Sequence, residues 1–174
     1  MPRKNKKLPR HLLVIRTSAM GDVAMLPHAL RALKEAYPEV KVTVATKSLF
    51  HPFFEGLDVG FLDIETRRTH RGIRGAIRFA REAAELKIDA VADMHNVLRS
   101  KMVRAALHLR GIPVSVIHKG RIEKYMRLGR GSEGVKPLKH TVIRYCDVFR
   151  RLGFDFPDPR PAEKRPRPNP CLLY

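Results

Sequence analysis

Apolar residues fall in short blocks along this chain, and the spacing inside the blocks alternates between two kinds. His11–Arg16 (HLLVIR) is a continuous apolar run, as expected of a strand buried on both faces. Val23–Tyr37 follows with apolar side chains at Val23, Leu26, Leu30, Leu33 and Ala36, one face of a helix that Pro38 ends. Pro27 falls about one turn into it, where a helix start tolerates proline better than its interior does. Val40–Ala45 and Val59–Ile64 read as strands, with Ser48–Glu55 a short helix between them. Gly75–Leu86 reads as a helix, Asp89–Met94 as a strand, Val97–Leu109 as a helix ended by Gly111, and Pro113–His118 as a fifth strand. His140–Leu152 is a final helix, with Val142, Tyr145, Cys146, Phe149 and Leu152 on one face and Gly153 closing it.

Strands separated by helices of this length predict parallel βαβ units with right-handed crossovers. The expected fold is therefore α/β, a Rossmann-like, doubly wound parallel sheet. The 174 residues suit one domain and are enough to hide about 70% of the extended chain's surface. Three segments are expected: a basic arm over 1–10, the α/β body over 11–155, and a Pro-rich linker or tail over 156–174. Phe156 to Pro170 holds six of the 13 prolines and no apolar periodicity.

Composition narrows the class. A hydrophobic content of 44% excludes wholesale disorder. The apolar runs are far shorter than the roughly 20 residues of a membrane span. The basic N-terminus leads into an apolar stretch that is too short for a signal peptide and is broken by Arg16, so a cytoplasmic protein is expected. Cys146 and Cys171 make no metal spacing, and reduced, unpaired thiols are expected. The histidines show no HxH or HExxH pattern and read as surface or core residues rather than metal ligands.

Charge adds a partner. The chain carries 35 Lys and Arg against 17 Asp and Glu, a net +18. Such a surplus implies nucleic acid, an anionic membrane face or phosphorylated substrates. Nucleic acid is disfavoured: there is no Trp, aromatics make up 7%, and no RNA-binding or helix-turn-helix signature is present.

The first βα turn, Arg16-Thr-Ser-Ala-Met-Gly-Asp-Val23, carries the candidate chemistry. In a doubly wound sheet, ligands bind beyond the carboxyl ends of the strands. A helix opening there presents free N–H groups and a positive dipole end to an anion. Gly21 is expected to let the backbone turn tightly. Asp22 falls at or next to the helix N-cap, and two roles are open to it. It can be a structural cap or a general base taking a proton from an attacking hydroxyl. Asp93-Met-His-Asn96 ends at the same edge, with Asn96 a candidate cap for the next helix. Arg99 and Lys101 give that helix a basic first turn, which opposes its dipole and hints at an anionic ligand nearby. Gly129-Arg-Gly-Ser-Glu-Gly134 matches GxGxxG, but it neither follows a strand nor opens a helix and is read as a loop.

His11 through Lys34, with Met20-Gly21-Asp22 at its centre, followed by Tyr37-Pro38 and a β-branched strand, closely resembles the N-terminus of the glycosyltransferase family nine heptosyltransferases. Asp93 through Lys101, and Lys119 through Lys124 followed by His140 and Tyr145, look similar too. The resemblance covers about residues 11–153. It implies the N-terminal, acceptor-binding half of a GT-B fold. Asp22 matches the family's base, which deprotonates the acceptor hydroxyl, with Ser18, Met20 and Gly21 as its loop. Arg99, Lys101, Arg121 and Lys124 are implied contacts to the phosphates and acidic sugars of a lipid A–core acceptor. The resemblance further implies inverting transfer without a metal, and no cofactor. The donor nucleotide-sugar, ADP-heptose, would bind a C-terminal half that these residues do not include. It also implies peripheral work at the inner face of the cytoplasmic membrane. His95 stands where the family pattern has Gln-Gly. Two other readings stay open: a catalytically silent module that docks on anionic lipid or on a separate donor-binding chain, and a basic nucleic-acid-binding protein.

Overall fold

The computed structural model describes residues 8–65, 70, 72–118 and 139–159. The β/α alternation is present throughout them. Five strands, β1 (His11–Ile15), β2 (Lys41–Thr46), β3 (Gly60–Asp63), β4 (Ala90–Asp93) and β5 (Val114–Val116), form one sheet in the order β3-β2-β1-β4-β5. Every neighbouring pair is parallel, with Val14 facing Val44 on one side and Ala92 on the other. The sheet is the Rossmann-like, doubly wound α/β arrangement. Its order reverses at β1, between β2 and β4, so the switch point lies between β1 and β4.

The helices are α1 (Met20–Ala36), α2 (Gly72–Glu85), α3 (Leu98–His108) and α4 (Thr141–Arg151), with a 3-10 helix over Ser48–Phe54. Alternation along β1 sends its side chains into two separate cores. Leu12 and Val14 pack with Leu26, Leu30 and Leu33 of α1 and with Tyr145 and Phe149 of α4. Leu13 and Ile15 pack with Phe79 of α2 and with Val103 and Leu107 of α3. All five β1 residues are buried, which is why Leu12 to Ile15 run without a polar position; His11, the one polar member, is paired with Thr43. Burial reaches past Asp155: Phe156 lies in the first core with Phe154, and the Arg150 guanidinium donates to the Phe156 carbonyl at 2.8 Å.

Helix α1 starts earlier than the apolar periodicity implies. Its first residue is Met20, so Pro27 is interior and buried. Periodicity finds only positions that face a core. Met20, Gly21 and Asp22 precede Val23, the first residue of α1 that faces the core.

Among the described residues no helix is long and apolar enough to cross a membrane.

Candidate functional site at the carboxyl edge of the sheet

The site is built on the loop that leaves β1. Arg16 ends the apolar strand run, and its side chain is 7% exposed. A buried guanidinium must be neutralised or hydrogen-bonded. Here it donates to the Met94 carbonyl beyond β4 and to Asp22 Oδ2 in α1. Its Nε has no partner among the described residues. One arginine thus ties together the two loops that flank the switch point.

Asp22 is the third residue of α1, and the N-cap is Ala19, with no side-chain cap. The cap reading of Asp22 is therefore corrected: its carboxylate faces Arg16, not the helix N–H groups. At 43% exposure the side chain still reaches solvent. From the α4 side, the Tyr145 hydroxyl donates to the Asp22 carbonyl at 3.0 Å. Burial pushes the Tyr145 hydroxyl up to about 12, so it remains a donor. Gly21 is the second helical residue, without a positive φ, and a Cβ there would meet nothing within 4 Å. The tight-turn reading of Gly21 is corrected as well. What its missing side chain provides is open space beside the helix N-terminus. Met20 is helical and largely exposed.

Across the switch point, the His95 ring bridges two hydroxyls. Nδ1 lies 2.9 Å from Thr17 Oγ1, and Nε2 lies 3.1 Å from Ser18 Oγ. In a neutral ring one nitrogen donates and the other accepts, and hydroxyls serve either role. The His95 backbone is fixed in turn. Asp93 Oδ1 accepts from His95 N and Asn96 N at 2.9 and 2.8 Å, while Arg104 holds Asp93 Oδ2 at 3.2 Å. Asn96 does not cap α3. It sits at φ +48° with its amide donating to the Ile117 carbonyl, and the N-cap is Val97, whose N–H donates to Ser100 Oγ.

A cavity of about 150 Å³ opens at this edge on the α2 and α3 side. Ile15, Ile64, Phe79 and Val103 form apolar wall, and Ser18, Lys47, His70, His95 and Arg99 add polar and cationic groups. His70 is buried. Its Nδ1 accepts from the Glu65 N–H at 3.1 Å, which leaves Nε2–H to donate to Glu82 Oε2 at 3.0 Å. Gly75 permits this loop closure, since a Cβ there would lie 2.2 Å from the His70 carbonyl carbon.

The structure brings Ser18 and Arg99 to the cavity. Asp22 is not part of its wall, because α1 and α4 pack on the opposite face of the sheet from α2 and α3. Lys101 is exposed on the first turns of α3. Arg121, Lys124 and the GxGxxG match lie outside the described residues. Sequence reading missed Arg16 as a strap, His70, Lys47 and the role of His95. For Arg16 a signal existed: a cation placed directly on the end of a fully buried strand has to find a partner. Among the described residues no three His, Cys, Asp or Glu side chains group as metal ligands.

No protein-family model and no curated protein matches the sequence. Solved structures do. A glycosyl transferase family 9 protein from Veillonella parvula superposes with TM-score 0.60 at 17% identity, over 83% of this chain and 42% of its own. The E. coli heptosyltransferase WaaC with ADP-2-deoxy-2-fluoro heptose gives TM-score 0.59 at 23% identity, over 86% of this chain and 50% of its own. The E. coli ADP-heptose lps heptosyltransferase II gives 0.53 at 21%, over 91% and 44%. The chain has a glycosyltransferase-like fold. It spans half or less of the length of each of these proteins. The family resemblance carried by the Met20-Gly21-Asp22 segment is thus matched in three dimensions over more than four fifths of this chain.

Proposed function

We propose that the chain is the acceptor-binding half of a heptosyltransferase-like glycosyltransferase, with Asp22 as general base. The observation that supports this most directly is the placement of Asp22. Its carboxylate stands in the first turn of α1 beyond the carboxyl edge, with Oδ2 engaged by Arg16 and its backbone pinned by Tyr145. A base must be held in position and still be reachable, and 43% exposure satisfies the second need.

In this reading an acceptor hydroxyl meets Asp22 Oδ1 and gives up its proton to the carboxylate. The hydroxyl oxygen then bonds to the anomeric carbon of the donor sugar from the side opposite the leaving group. The bond to the nucleotide diphosphate breaks with its electron pair, and the configuration inverts. Arg16 keeps the carboxylate oriented. Arg99 and Lys101, with Arg121 and Lys124, meet the anionic groups of a lipid A–core acceptor. The donor, an ADP-heptose, binds a C-terminal half outside these residues. Holding both reactants together is worth about 7–11 kcal/mol of the barrier, so the 174-residue chain alone is expected to bind acceptor without transferring sugar.

The test is an NMR titration of the isotope-labelled chain with lipid-free, phosphorylated core oligosaccharide and, separately, with a DNA duplex of equal charge. The oligosaccharide should bind more tightly and shift Ser18, Asp22 and Arg99. Equal affinity for the duplex at every salt concentration would overturn the proposal in favour of nucleic-acid binding.

A further inference from the structure

The His95 ring does more than link two loops. Its Nε2 lies 3.1 Å from Ser18 Oγ and its Nδ1 2.9 Å from Thr17 Oγ1, and all three residues line the cavity at the carboxyl edge. A hydroxyl within reach of one imidazole nitrogen, with the other nitrogen held by a third group, is the arrangement that activates a serine nucleophile. Ser18 is half-buried and Thr17 is buried, so the nucleophile is reachable while its support is sealed. With Nδ1–H donating to Thr17 Oγ1, the Nε2 lone pair is left for the Ser18 proton.

The base is also rigidly carried. Asp93 is fully buried, its Oδ1 fixes the His95 N–H, and its Oδ2 is held by Arg104. The family pattern that this edge resembles has Gln-Gly at this place. An amide can bridge two hydroxyls as an imidazole does, but it cannot take up a proton. Here the bridging group is one that can.

The cavity defines what the pair meets. At about 150 Å³ it has room for a benzene-sized group. Ile15, Ile64, Phe79 and Val103 give it apolar wall, and Lys47 and Arg99 are its cations. Among the described residues no Asp or Glu lines it. Apolar wall beside cations suits a short acyl chain esterified to an anionic alcohol.

We propose that Ser18 and His95 form a nucleophile–base pair that hydrolyses short-chain acyl esters of anionic alcohols, an activity separate from sugar transfer and independent of Asp22. His95 Nε2 takes the Ser18 proton as Oγ bonds to the ester carbonyl carbon, and the carbonyl π pair moves to oxygen. The oxyanion develops beside the amino end of α1, which opens two residues after Ser18 and whose first N–H groups lack an intrahelical acceptor. Return of that pair breaks the bond to the alcohol, which leaves with the proton from Nε2. Water then attacks the acyl group and gives a proton to Nε2. The bond to Oγ breaks, Ser18 recovers its proton from Nε2, and the carboxylic acid is released.

Two probes test the chain as it stands. A fluorophosphonate should label the parent, and peptide mass spectrometry should find the adduct on Ser18, a result that needs no variant to fold. The acetate ester para-acetoxybenzoate, which carries a carboxylate, should be hydrolysed with saturation. Its neutral counterpart, methyl para-acetoxybenzoate, should react about tenfold more slowly. Ser18→Ala and His95→Gln should each lower labelling and hydrolysis by about 10²–10⁴-fold. Because Gln can still bridge Thr17 and Ser18, His95→Gln should melt near the parent's Tm. His108→Gln removes an exposed histidine from the end of α3 and should label as the parent does. Adducts on residues other than Ser18, or equal labelling in His95→Gln, would overturn the proposal and leave His95 a bridge. So would hydrolysis that Ser18→Ala does not slow, or a parent chain that neither labels nor turns over. Equal rates on the two esters would overturn the assignment of the alcohol. None of these outcomes touches the acceptor-binding reading, which the oligosaccharide titration reports separately.

Discussion

The two ends of this sheet use polar groups in opposite ways. At the amino end they close on one another. Asp89 Oδ2 accepts from Arg10 N and His11 N, both at 2.9 Å, and His11 Nε2 meets Thr43 Oγ1 at 2.8 Å. Lys34 donates to the Pro38 and Val40 carbonyls and to Asp58. At the carboxyl end the groups are held but not exhausted. Arg16 keeps an unpartnered Nε, Asp22 stays accessible, and cations stand at helix starts whose dipoles repel them. The carboxyl end carries unfavourable features that a ligand would relieve, which is where function is expected in a doubly wound sheet.

Substitutions at matched positions of the two ends should separate them. The largest effect is expected at Asp22. In the chain joined to a donor-binding half, Asp22→Asn should lower the rate of sugar transfer by about 10²–10⁴-fold while acceptor affinity survives. Asp89→Ala, at the other end, should leave transfer unchanged and cost about 1 kcal/mol of stability, measured by urea unfolding. Near-normal turnover in Asp22→Asn would reduce Asp22 to a partner of Arg16.

Arg16→Met should come next, at about 2–3 kcal/mol of stability, because the buried Met94 carbonyl loses its donor and the two switch-point loops lose their strap. Loss below about 0.5 kcal/mol would show the strap to be dispensable.

Two glycines give smaller and opposite effects. Gly75→Ala places a Cβ against the His70 backbone and should destabilise by about 1–3 kcal/mol. Gly21→Ala meets nothing, so helix propensity should stabilise the chain by about 0.5–1 kcal/mol. The same methyl should weaken oligosaccharide binding if the acceptor approaches the start of α1. Unchanged affinity would move the acceptor elsewhere.

The smallest effect belongs to His11. Burial, and then the Lys41 charge, hold its pKa below the ordinary 6.5. Above 6.5 both folded and unfolded chains carry it neutral. As pH falls through that value, the unfolded chain takes up the proton first, so stability declines until the folded-state pKa is passed as well. His11→Gln should flatten the decline in a series of melts from pH 8 to 5. An unchanged slope would assign the decline to other groups.

The sequence by itself determined the element order and the fold class. Buried strands must be uninterrupted runs and core helices must repeat about every 3.6 residues, and both patterns are written in β1, α1 and α4 as local chemistry. Met20-Gly21-Asp22 is likewise legible as a motif in the sequence alone. The tertiary structure decided what those residues do. Asp22 proved to be an ion-pair partner and not a cap, because Arg16, six residues earlier, is buried and needs a counter-charge. Gly21 proved to leave space where a turn was expected. His95 meets Thr17 and Ser18 across more than seventy residues of chain only because β1 and β4 lie side by side.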